Sequence, residues 1–353
     1  MNHPLAVSTW GDEEKQALLA VIESGRYTMG EKVSEFEKEY AAWVNTSYAV
    51  MCNSGSSANL LMVAAYTLRH GPGTVIVPAV SWATSYSPFQ QYGWKLKFVD
   101  IDRDTLNYDL DSLNAAFTGN ELILAVNLLG NPNDYNQFPS MNLLEDNCES
   151  MGAVYAGMRT GNFGQMASHS MFFSHHMQTM EGGIVTTDDE YFYQMLLCLR
   201  SHGWTRHLPE NNLLEAKVSA YEFIYPGYNV RPIEMMGAVG LEQLKKLDGF
   251  IEKRRENAER WLEYCAKRGF WCQKEIGQSS WFAFAMVEDN IDEIKAELES
   301  KGIEYRPLVA GNFVKSPSIS YYQHEIHESL PNANRIHENG IYIGNHHQEL
   351  HFD

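Results

Sequence analysis

Cysteine is scarce in this chain of 353 residues, and it is scattered. The five cysteines, Cys52, Cys148, Cys198, Cys265 and Cys272, form neither a Cys-x-x-Cys nor a Cys-x-Cys pair. An odd, dispersed set in a chain of this size reads as reduced thiols of a cytoplasmic protein, not as a disulfide framework. Basic residues are also few. Lys and Arg total 27 against 45 Asp and Glu, for a formal charge of −18. That balance argues against a partner held by its phosphate backbone, such as a nucleic acid. No apolar run reaches the roughly 20 residues of a membrane span. The segment from Met1 to Trp10 lacks a basic stretch followed by an apolar one, so no secretory leader is expected.

What is present is globular. Apolar residues make up 44% and aromatics 12%, enough to build a sizeable core without staples. Two domains or one large α/β unit are expected from the length. Apolar spacing predicts helices over 13–24, 34–43 and 58–68, with short strands over 48–52, 74–77, 96–99, 122–126 and 143–144. Segments 168–173 and 183–187 read as strands on either side of His175-His176. Strand–helix alternation over about 200 residues implies a mostly parallel sheet covered on both faces. After Tyr225-Pro226-Gly227 the pattern changes to two long helices, 234–247 and 251–267. A strand, a helix and a strand follow over 281–287, 291–300 and 303–306. A large domain over 1–230 and a smaller α+β domain over 231–353 are therefore expected.

Four segments carry chemistry. Asn53-Ser54-Gly55-Ser56-Ser57 lies between a strand and a helix. Free N–H groups there would suit an anion, although Ser and Asn are also ordinary helix caps. Leu143 to Glu149 places carboxylates at a strand's C-terminal end, where ligands of open α/β sheets bind. A carboxylate buried there needs a cationic partner. Ser170 to Gly183 contains the adjacent His175 and His176 at a strand exit, and histidine is the natural proton carrier near neutral pH. Gly227-Tyr228-Asn229-Val230-Arg231 precedes a helix and reads equally as an interdomain turn. His346-His347 with His351, and His324 with His327, lack the His-Glu-x-x-His spacing that sets two ligands on one helix face, so no metal is expected.

In this order and spacing the segments resemble the DegT/DnrJ/EryC1/StrS sugar aminotransferase family, from about Ser8 to about Phe313. The matching stretches include Ser24-Gly25-Arg26-Tyr27-Thr28-Met29-Gly30, Ser54-Gly55-Ser56-Ser57, Pro78 to Thr84, and Gly227 to Arg231. The resemblance implies a fold-type I, aspartate aminotransferase-like α/β fold that binds pyridoxal 5′-phosphate (PLP) or its amine form, PMP. It places the pyridine-binding carboxylate on Asp146 and the ring-stacking aromatic on Trp82. It puts Glu149 near the ring's 3-oxygen. It assigns the phosphate to Gly55, Ser56, Ser57, Ser170 and, from a partner subunit, Asn229. A homodimer with a shared active site is thus implied. Arg206, Arg231 and Arg306 are candidates for a diphosphate, because an arginine fork meets two oxygens at once.

One position departs from the family. Where the pattern has the lysine that bonds PLP, this chain has His175, and the first glycine of the following Gly-Glu-Gly-Gly is Met180. No lysine lies between Lys97 and Lys217. Histidine cannot hold PLP covalently, but it can move a proton. The exchange resembles the family's sugar 3-dehydratases. Of these, the iron–sulfur type carries a Cys-x-Cys that is lacking here, so the cluster-free type is expected. That branch implies a GDP-linked 4-keto-6-deoxy sugar substrate, L-glutamate as amino donor, loss of the C3 hydroxyl and release of ammonia. His175 would be the proton carrier. The alternatives are an aminotransferase with an unusual base and the iron–sulfur CDP-sugar enzyme.

Overall fold

The computed structural model describes residues 3–352. Two helices open the chain, α1 (Asp12–Ser24) and α2 (Glu31–Val44). Then follow β1 (Tyr48–Cys52), α3 (Gly55–His70), β2 (Thr74–Pro78), α4 (Ala83–Gln91), β3 (Lys95–Val99), α5 (Leu110–Ala116), β4 (Leu122–Val126) and β5 (Leu143–Asp146). A small hairpin, β6 (Val154–Tyr155) and β7 (Met158–Arg159), leads to β8 (Ala167–Ser170), β9 (Gly183–Thr187) and α6 (Glu190–Arg200). The remainder is α7 (Glu234–Arg268), β10 (Ala283–Val287), α8 (Ile291–Ser300), β11 (Tyr305–Pro307), β12 (His324–Ile326), α9 (Pro331–Asn339) and β13 (Gly340–Gly344).

The central strands are continuous apolar runs because helices cover the sheet on both faces. Val75 to Val77 and Leu122 to Ala125 are fully buried. The eight strands lie in the order β1-β9-β8-β5-β4-β2-β3-β12. Only β9 runs against its neighbours, β8 and β1; the other described pairings in this sheet are parallel. This is the mostly parallel mixed sheet expected. A second sheet, β10-β13-β11, is antiparallel. Its core is Trp261, Trp281, Phe284, Met286, Ile294, Leu298 and Ile343. The chain does not stay in this smaller unit. Strand β12 returns to pair with β3 of the large sheet.

The two helices expected over 234–247 and 251–267 are one helix of 35 residues, α7. Asp248-Gly249 reads as a break, but Leu247, Ile251, Arg254, Ala258, Trp261 and Cys265 continue one buried stripe across it. An interior glycine costs only about 1 kcal/mol, and burying that stripe outweighs it. The helix is also tied at its start. The Glu234 carboxylate accepts the N–H groups of Gly30 at 2.7 Å and Lys32 at 2.6 Å, capping α2. The N-cap of α2, Gly30, has no side chain to do this. Helix α3 begins at Gly55, earlier than expected, because Ser54 caps it by accepting the N–H of Ser57 at 3.1 Å.

Gly183 opens β9 hard against the start of α3. A Cβ there would lie 2.1 Å from the Ser54 carbonyl oxygen and 2.6 Å from the Gly55 nitrogen. Gly183→Ala must push strand and loop apart, and we expect a loss of about 1–3 kcal/mol of stability. Chemical denaturation measures it, and an unchanged midpoint would contradict this packing.

Candidate active site

The C-terminal ends of β2, β4, β5 and β8 point to one side of the sheet, where α/β proteins place their ligands. A cleft of about 350 Å³ opens there. Seven sequence-predicted residues line it: Gly55, Ser56, Trp82, Asp146, Glu149, Ser170 and His175. They come from the first turn of α3, the cap of α4, the end of β5 and its following loop, the end of β8, and the turn between β8 and β9.

Asp146 ends β5 and is 5% exposed. Its Oδ2 accepts from Asn59 Nδ2 at 2.9 Å and Ser85 Oγ at 2.7 Å, and its Oδ1 from the Cys148 N–H at 3.1 Å. All three donors are neutral. A buried carboxylate with neutral partners only is a place for a cation supplied from outside the chain. A protonated pyridine nitrogen fits that requirement. Across the cleft the Trp82 side chain is 58% exposed, although tryptophan normally buries its large apolar face. The third element of fit is Gly55. A Cβ on it would come within 2.5 Å of the Ser170 side chain. The glycine thus brings the α3 N-terminus, with its unpaired N–H groups, against the Ser170 hydroxyl. Aromatic face, buried carboxylate and anion cradle are the three contacts a pyridoxal phosphate needs.

The titratable groups divide in two. Burial pushes the Glu149 carboxyl up to about 7, the Leu129 N–H at 3.0 Å opposes the rise, and the charge on Asp146 adds to it. Burial lowers His175 to about 3, with the Arg254 charge acting in the same sense. His175 is therefore neutral near pH 7, and its Nδ1 has no hydrogen-bond partner. Its ring lies 5.0 Å from that of Phe282. His176 is different. It is fully buried, and its Nε2 lies 3.0 Å from the Ser280 carbonyl oxygen, so its task is to hold the turn. Met180, in the family's glycine position, has φ 71°. The turn keeps the left-handed backbone that glycine favours.

The other predicted residues lie elsewhere. Ser57 is engaged with the Ser54 cap. Asn229 is exposed and does not line the cleft. Arg206 and Arg231 gather around Trp204, at 5.1 and 5.8 Å from its ring, and Arg231 Nη1 lies 2.9 Å from His202 Nε2. Arg306 is opposite Tyr342 in the β11–β13 pairing. Tyr342 lines the cleft and is pushed up to about 12, first by burial and then by Glu149, against the opposing charge of Arg306. Sequence reasoning missed Asn59, Ser85, Phe282 and Tyr342. Two of these had a helical signal. Asn59 is one turn beyond Gly55 in α3, and Ser85 one turn beyond Trp82 in α4. Phe282 and Tyr342 come from the smaller sheet with no nearby motif.

Known proteins share this fold. The family model for DegT/DnrJ/EryC1/StrS aminotransferases matches residues 8–351. GDP-4-keto-6-deoxy-D-mannose 3-dehydratase of Yersinia pseudotuberculosis is 48% identical, covering 99% of this chain and 95% of that protein. A crystal structure of a mutant GDP-4-keto-6-deoxymannose-3-dehydratase with bound GDP-perosamine superposes with a TM-score of 0.96 at 46% identity, covering 99% of this chain and 97% of that one. Another, of the enzyme with a trapped PLP-glutamate geminal diamine, gives a TM-score of 0.95 at 46% identity with the same coverage. With the whole fold and nearly every residue matched, the chain belongs to the DegT/DnrJ/EryC1/StrS aminotransferase family.

Proposed function

We propose that this chain is a PLP-dependent lyase that removes the C3 hydroxyl of GDP-4-keto-6-deoxy-D-mannose, taking an amino group from L-glutamate and releasing ammonia. The observation that carries the reading is the His175 ring, which lines one cleft with Asp146, its Nδ1 without a partner among the described residues, at the position where the family pattern has the lysine that bonds PLP. When bound, the cofactor would supply a carrier for the glutamate nitrogen and an electron sink for chemistry at the sugar. Asp146 would hold the pyridine nitrogen in its protonated form. Trp82 would cover one face of the ring, and Gly55, Ser56, Ser57 and Ser170 would bind the phosphate with the partner subunit's Asn229. Glu149 would meet the 3-oxygen. His175, unprotonated at neutral pH, would take up a proton at the cofactor's C4′ and hand one to the departing hydroxyl. With no amine at residue 175, nothing in the chain competes with the substrate for the cofactor. That favours elimination over amine transfer.

The surroundings complete the reading. Arg306, beside Tyr342, and the Arg206–Arg231 cluster, the latter through a second subunit, would offset the −18 charge toward a nucleoside diphosphate. A cytoplasmic homodimer making a deoxysugar for O-antigen, on the route to GDP-colitose, is the setting that fits. The domain division we propose is a cofactor-binding unit over 1–230 and a smaller one over 231–353.

Three outcomes test this. With PLP, L-glutamate and GDP-4-keto-6-deoxy-D-mannose, mass spectrometry should show a sugar nucleotide lighter by one oxygen; an amino sugar in its place would overturn the proposal. His175→Asn should lower kcat by about 10²–10⁴-fold, the usual worth of a positioned proton carrier. His175→Lys should retain PLP through borohydride treatment and denaturation, whereas the wild type should lose it. A separate outcome concerns pH. Glu149 is raised in the folded state, so its contribution to apoprotein stability is full below its unfolded value near 4.5 and lost as pH climbs through about 7. Glu149→Gln should flatten that decline in melting temperature, and an unchanged pH profile would contradict it.

A further inference from the structure

The mechanism above makes no use of Arg254, a cation in α7 that is 3% exposed. Buried arginines are normally paired with a carboxylate. This one is not. It donates to the carbonyl oxygens of Phe282 at 2.9 Å, of Asn345, and of His175 at 3.4 Å, and its Nε has no partner. Burial pulls it down only to about 9, so it stays charged at neutral pH. Its three acceptors come from different places. Phe282 precedes β10, Asn345 follows β13, and His175 sits in the turn between β8 and β9 of the large sheet. The guanidinium therefore joins the smaller sheet to the backbone of the His175 turn. Asn345 is itself fixed, donating to the Arg254 carbonyl at 3.1 Å and the Trp281 carbonyl at 2.7 Å.

We propose that Arg254 is a positioning residue for His175: it anchors the carbonyl of the histidine turn to the smaller sheet, and its fixed charge opposes a second positive charge on the imidazole. The inference rests on the reading of His175 as the proton carrier. Burial lowers His176, His346 and His347, and the same charge acts in that sense on each, so Arg254 is one cation beside four histidines that are all shifted down. Among the described residues, the remaining titratable neighbours of His175 are Asp146, Cys148, Glu149, Glu181 and Tyr342, which share its cleft, and His176 beside it. None of these groups is a second buried cation. A fixed positive charge at that place keeps a base available in mildly acidic solution. A carboxylate there would have protonated it.

The test is a titration of the apoprotein, which needs no cofactor and no turnover. The imidazole carbons are labelled with ¹³C, and His175 is assigned by its loss in His175→Gln. In the wild type His175 should show no titration above about pH 5, against about 6.5 for a free histidine. In Arg254→Met, which keeps length but not charge, its midpoint should rise by at least one pH unit, and the acid limb of kcat should move up with it. Arg254→Lys should keep both low. A destabilised Arg254→Met protein with an unmoved His175 midpoint would show packing alone and overturn the proposal. If that variant does not fold, Arg254→Gln, which keeps a donor without the charge, decides: a His175 midpoint that stays at the wild-type value overturns the proposal, as does a wild-type midpoint at about 6–7. A wild type with the low midpoint but no dehydration would instead refute the function and leave this inference standing.

Discussion

The rest of the site depends on one uncompensated charge, the Asp146 carboxylate at the end of β5. The chain spends two neutral side-chain donors and one N–H to hold it, and no cation among the described residues pairs with it. Placing a carboxylate in a low-dielectric cleft is costly unless something positive arrives. A pyridinium bound there would gain a partner and keep its proton, and would make the ring an electron sink. In the proposed site Trp82 would cover a face of it, the α3 N-terminus would take the phosphate, and His175 would stand where the family pattern has a lysine.

The fold exists to hold that point still. Glu145, the residue before Asp146, is fully buried and faces the other side of the sheet. It accepts the N–H groups of Gly161 and Gly164 at 2.8 Å, Phe163 at 2.7 Å, and the Tyr135 hydroxyl at 2.9 Å. Adjacent carboxylates thus divide the work. One locks the strand end from behind, and the other is left for the ligand. The smaller sheet closes the cleft from the opposite side with Phe282 and Tyr342. It reaches the histidine turn through Arg254 and the Ser280 carbonyl oxygen that meets His176.

Much of this was legible in the sequence because it is local. A strand ending in an acid, a Ser-Gly-Ser-Ser cap and a histidine pair before a glycine pair are contiguous signals, and each describes its own turn. Even the departure at Met180 was informative, since the backbone there keeps a positive φ without glycine. What was not legible is long-range. Phe282, Tyr342 and Arg254 lie far along the chain from His175, and no spacing connects them. The break expected at Asp248-Gly249 was misread because local propensity was weighed without the buried stripe on α7 that overrides it. Arg206 and Arg231 carry chemistry suited to a diphosphate, but the fold sets them around Trp204, outside the lining of the cleft.

The central claim is that a base without an amine turns transamination chemistry into elimination, and the fate of the donor nitrogen reports on it directly. With ¹⁵N-labelled L-glutamate, PLP and GDP-4-keto-6-deoxy-D-mannose, the label should appear as free ammonium in step with the deoxy sugar. Label retained in the sugar nucleotide would contradict the account.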